Sequence, residues 1–135
     1  MEENKNLKNA DPKELAVEIV NILHSKKAHN IKLLHVKEQT IITDYFVICT
    51  GNSNTQIKAL ADELDRKTSL YGLPPVSVEG FREASWILLD YSSVIVHIFN
   101  RESREFYNLE KLWNDSEVID TEQLIYKEEE KEDNE

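Results

Sequence analysis

Residues 44–64, DYFVICTGNSNTQIKALADEL, set a buried strand, a small polar turn and an amphipathic helix in direct succession. Tyr45 to Cys49 is an uncharged run of aromatic and β-branched residues, as a strand requires. Ser53 is an N-cap with Gln56 three residues on, and Ile57, Leu60, Ala61 and Leu64 form one apolar stripe. Asp62/Arg66 and Glu63/Lys67 add i,i+4 pairs, each contributing about 0.2–0.5 kcal/mol. The helix stops near Tyr71-Gly72, and Pro74-Pro75 keeps it from resuming. A strand, glycine turn and helix can also cradle a phosphate. Here the dinucleotide fingerprint and the GxxxxGK[ST] pattern are both absent, and Ser53 can itself satisfy a helix-start donor, so the turn reads as a cap.

Outward from this unit, Asp11-Pro12-Lys13-Glu14 opens an earlier helix as a capping box with proline at its first position. Leu15, Ile19, Ile22 and Leu23 make its buried stripe, and it ends near Lys26, Lys27 and Asn30. Ile31 to Val36 reads as a strand, with KEQT as the turn that follows. On the other side, Val76 to Val78 is a short strand leading to Glu79-Gly80. Trp86–Asp90 and Val94–Phe99 then lie too close together for anything but a hairpin, because a parallel crossover takes a dozen or more residues. With Ser92-Ser93 as a two-residue turn, Ile87, Leu89, Val94, Val96 and Ile98 share one wholly aliphatic face. The other face carries Trp86, Leu88, Asp90, Ile95, His97 and Phe99. Asn100 caps a last helix with Phe106, Leu109 and Trp113 at i, i+3 and i+7.

The order αββαβββα predicts an α/β fold with a mixed sheet of about five strands and packed helices. Residues 1–10 are expected to be a flexible N-terminus, 11–113 the domain, and 114–135 an acidic, largely mobile tail. Ile119, Leu124 and Ile125 could let a short part of that tail fold back.

Charge divides along the same boundary. Residues 114–135 hold ten acidic residues against two lysines, whereas 1–113 hold sixteen acidic against fourteen basic. A nearly neutral domain with an acidic tail lacks the basic footprint that phosphate neutralisation needs, so nucleic acid is a poor partner and a basic protein a natural one. With no run of about 18 apolar residues and no secretory start, the expectation is a cytoplasmic protein with no membrane contact.

Catalysis finds little support. Asp44, Asp62, Glu63, Asp65 and Asp90 are scattered, and no strand offers two acids at i and i+2, so metal-assisted phosphoryl transfer is not expected. The lone Cys49 sits in an apolar run, and His24, His29, His35 and His97 follow no ligand spacing. Neither a catalytic residue, a metal site nor a cofactor is expected. Trp86, Leu88 and Phe99 read either as a second core layer or as a partly exposed docking patch, which the surplus of sheet over helix favours. His97 is open between an interior imidazole and a docking contact.

The ordered combination TDYFVICTGNSNTQIKALADEL, VEG and WILLDYSSVIVHIFNRESREFYNLEKLWND resembles the Iojap-like ribosome silencing factors over about residues 11–115. The resemblance implies a nucleotidyltransferase-like fold without catalytic carboxylates. It implies a translational repressor that binds ribosomal protein L14 of the large ribosomal subunit, blocks joining of the small subunit, and is often a homodimer when free. The partner-binding residues carried over by position are Trp86, Leu88, Asp90, His97 and Phe99, with Glu79 and Gly80 nearby. The family typically has Gly-Asp where this chain has Ser92-Ser93.

Overall fold

The computed structural model describes residues 5–125. The elements are α1 (Pro12–Ser25), β1 (His29–His35), β2 (Tyr45–Thr50), α2 (Asn54–Leu70), β3 (Ser77–Glu79), β4 (Trp86–Asp90), β5 (Val94–Phe99), α3 (Arg101–Tyr107), α4 (Leu109–Leu112) and β6 (Glu117–Ile119), followed by a 3-10 turn at Thr121–Gln123. The helix starts form as their side chains dictate. Asp11 accepts the Glu14 N–H at 2.8 Å, and Ser53 Oγ accepts the Gln56 N–H at 3.1 Å.

The strands make one mixed sheet in the order β3-β4-β5-β2-β1-β6. Among the described residues only β2 and β5 pair in parallel; the other four neighbouring pairs are antiparallel. Those two central strands are buried along their whole length. Gly51, at the end of β2, lets α2 return closely over the sheet: a Cβ there would lie 2.6 Å from Ile57 Cγ1. Its smallness serves packing.

The hairpin has the expected register. Leu88 faces His97, Asp90 faces Ile95, and the Tyr91 N–H donates to the Val94 carbonyl, leaving Ser92-Ser93 as the turn. Ser92 takes the left-handed φ of 69° that such a turn imposes. Ile87, Leu89, Val94, Val96 and Ile98 therefore lie together in the larger core under α1 and α2. On the opposite face, Leu34, Phe46, Ile48, Ile95 and Phe99 form a second, smaller core that Trp86, Leu88, Leu109 and Trp113 complete.

Three expectations change. A sixth strand exists, because β6 pairs with β1 (Leu34 opposite Val118), and Ile119, Leu124 and Ile125 pack on the larger core. The fold thus runs past residue 113 to the end of the described residues. It also begins before residue 11: Leu7 is buried, its N–H donates to the Tyr71 carbonyl at 2.8 Å, and Lys5 pairs with Glu18 at 3.0 Å. Residues 1–4 and 126–135 lie outside the described residues. Finally, the last helix is two. Asn108 adopts φ 46°, ψ 59°, which breaks the chain direction, and its side chain then caps α4. β1 bulges between His29 and Lys32 at the left-handed Asn30.

Candidate docking surface on the second sheet face

The second face is only partly roofed. From the end of β5, α3 and α4 cross it as a strap, and neither helix buries a residue. Arg104 ties the strap down. It is bidentate to Glu110 at 3.1 Å for both bonds, and it donates to the Asn30 carbonyl at 2.7 Å and to Thr50 Oγ1 at 2.8 Å. Sequence reasoning missed this role, since an arginine in RESREFY looks like an ordinary exposed charge.

Beside the strap lies Trp86, half-buried. Its ring contacts Tyr107 at 4.6 Å, Phe99 at 5.0 Å and His97 at 5.8 Å between centroids, and its Nε1–H donates to His97 Nδ1 at 3.1 Å. Because Nδ1 accepts, the His97 proton sits on Nε2, which is buried without a hydrogen-bond partner among the described residues. Such an orphaned donor costs about 1–3 kcal/mol. Burial against Phe46, Phe99 and Leu88 also pushes the imidazole pKa down to about 4.

The residues predicted to meet a partner thus separate by depth. Trp86, Leu88 and Asp90 are half-buried, and Glu79 and Gly80 are exposed. His97 is 5% exposed and Phe99 not at all. Both are buried in this structure and form the floor on which Trp86 rests. Asp90 spends a carboxylate oxygen on the Ser92 N–H at 2.7 Å. Gly80 has φ 80°, and a Cβ there would collide with the Trp86 carbonyl oxygen, so its absent side chain lets the chain pass β4. Three exposed apolar residues lie outside the residues predicted to meet a partner. Phe106 is 80% exposed, and Tyr107 and Leu112 are exposed beside it on the strap. The break at Asn108 turns Phe106 out of the supposed stripe, and an Asn following the FY pair was the available signal.

The turn at Gly51 holds itself together. The Asn52 N–H donates to Gln56 Oε1 at 2.6 Å and the Gly51 N–H to the Phe99 carbonyl at 2.9 Å. A polar cleft of about 690 Å³ does open where the parallel strands end, between Thr50, Asn52, Arg101 and Glu105, but the half-buried Arg104 in its wall is already engaged by Glu110. Among the described residues no group of three or more His, Cys, Asp or Glu side chains could hold a metal ion. Burial pushes the Cys49 thiol up to about 12, so it is an inert packing group. Among the same residues no helix is long and apolar enough to cross a membrane.

Residues 9–135 match the family model described as "Ribosomal silencing factor during starvation". The chain belongs to that family. It is 40% identical over 106 residues to the ribosomal silencing factor of Halalkalibacterium halodurans, covering 78% of this chain and 91% of that one. With the Bacillus subtilis ribosomal silencing factor it shares 41% identity over 95 residues, covering 70% and 80%. The crystal structure of a Chromobacterium violaceum protein superposes with a TM-score of 0.75 at 30% identity, covering 77% of this chain and 87% of that one. For a ribosomal silencing factor, the half-buried Trp86 and Leu88 at the margin of the strap mark the surface of interest.

Proposed function

We propose that this protein represses translation by binding the large ribosomal subunit and occupying space that the small subunit needs, with a protein of basic character, ribosomal protein L14, as the contact. The observation that carries the reading is the patch formed by half-buried Trp86 and Leu88 together with exposed Phe106 and Tyr107, beside the acidic Glu79 and Asp90. An apolar centre with an aromatic anchor and a charged rim is how transient protein interfaces are built. A rim of this sign favours a basic partner and speeds encounter at low salt. Blocking needs no turnover, only an interface of the usual 1,200–2,000 Å² or so of total buried surface. When free, the protein is proposed to be a homodimer, as the family resemblance implies.

The test is a gradient profile of purified large and small subunits mixed with and without the protein. Repression by occupancy predicts that whole ribosomes decline as free subunits rise, with the protein travelling on large subunits. Protein on large subunits with an unchanged ribosome peak would instead make it an assembly adaptor, and no protein on either subunit would end the proposal.

A further inference from the structure

We propose that His97 is the positioning residue of this surface: its Nδ1 fixes the Trp86 indole in the orientation that offers the ring's open side to a partner, at a net loss of fold stability. The proposal rests on the docking reading above.

Every neighbour of His97 on its face is apolar or aromatic. Leu88 stands opposite on β4, Ile48 alongside on β2, and the Phe46 and Phe99 rings lie 5.1 and 6.1 Å away. A phenylalanine would fill that position without a polar requirement. The imidazole instead leaves Nε2–H unpaired in the core. What it supplies in return is one bond, 3.1 Å long, to the indole N–H of a residue two pairs away on the diagonal of the hairpin. Diagonal pairs on one face are within reach of long side chains, so the bond follows from the register.

The remaining contacts of Trp86 are ring faces and edges, from Tyr107 and Phe99. These resist translation of the indole but set its angle weakly, whereas a hydrogen bond to a buried acceptor sets it strongly. An anchor fixed before binding loses less rotamer freedom on docking. A core position that gives up stability while fixing an anchor is the pattern expected where local rules yield to function.

The test uses the full chain and three variants: His97→Phe, His97→Gln and Trp86→Ala. Each is read for thermal midpoint and for binding to isolated large subunits. The two His97 variants are also read for acrylamide quenching of Trp86 in a Trp113→Phe background. His97→Phe is expected to melt at or above the parent, to quench more readily, and to bind large subunits about three- to tenfold more weakly. His97→Gln, whose amide oxygen can accept the indole N–H, should recover most of the binding. If Trp86→Ala loses binding while His97→Phe binds like the parent, the surface stands and the positioning role falls. A lowered midpoint with a matching loss of binding in His97→Phe makes His97 a packing residue and also overturns the proposal. If Trp86→Ala binds like the parent, the docking reading itself has failed; quenching unchanged by His97→Phe then refutes the indole lock on its own terms.

Discussion

Acidification should destabilise this protein through one residue before its carboxylates protonate. His97 is 5% exposed, and its pKa falls from the ordinary 6.5 to about 4 because burial penalises the charged imidazolium. Between those values the unfolded chain binds a proton that the native state refuses, so stability rises with pH across the window. The contribution is fully present above pH 6.5 and is lost as pH falls towards 4. From pH 7 to pH 5, a range above the ordinary carboxylate values, the loss from this group is about 2 kcal/mol. For a chain of this length that is about 6–10 °C in the melting midpoint. Thermal melts at half-unit pH steps measure it, with His97→Phe beside the parent. The variant should lose about 2 kcal/mol less than the parent over that range. Parallel melting curves for the two proteins would show that His97 is not held neutral in the core, and the account of the Trp86 bond would go with it.

Other consequences follow from the same geometry. Ser92→Gly should stabilise the fold by about 0.5–1 kcal/mol in urea denaturation, because glycine accepts the left-handed φ of 69° without the Cβ strain that serine carries. An unchanged or lower midpoint would mean that the turn holds no strain. Arg104→Ala removes four hydrogen bonds that fasten the strap and leaves Glu110 without the partner it faces. A loss of about 2–4 kcal/mol is expected, with faster amide exchange at Tyr107 and Leu109; protection equal to the parent's would place the strap's anchor elsewhere. Titration calorimetry with a nucleoside triphosphate and magnesium should show no saturable heat, since the Gly51 and Asn52 N–H groups both donate internally. Clear saturation abolished by Arg101→Ala would reinstate the nucleotide reading.

Much of the frame was legible in the sequence because periodicity and turn chemistry agreed. The capping box at Asp11, the Ser53 cap and the clean aliphatic face from Ile87 to Ile98 each fixed an element and its orientation. Where local signals were weak, the reading failed. The three residues of β6 carry no alternation of their own and gain their place only by pairing with β1. Leu7 lies in a polar segment, and its burial comes from the end of α2. The patch was half legible. The alternation on β4 and β5 identified the right face, but two-residue periodicity cannot say which members a later strap will cover. Depth therefore divided His97 and Phe99 from Trp86 and Leu88 in a way that only packing decides. Phe106 was misassigned for the reverse reason: a helical stripe was extended across Asn108, where the backbone changes hand.

The most direct test of the docking surface is co-pelleting of the purified protein with large subunits, parent against Trp86→Ala, beside thermal melts of both. A half-buried anchor predicts that the variant stays in the supernatant while keeping most of its melting temperature. A variant that pellets like the parent, or one that fails to bind only because it no longer folds, would contradict the assignment of Trp86 to an interface.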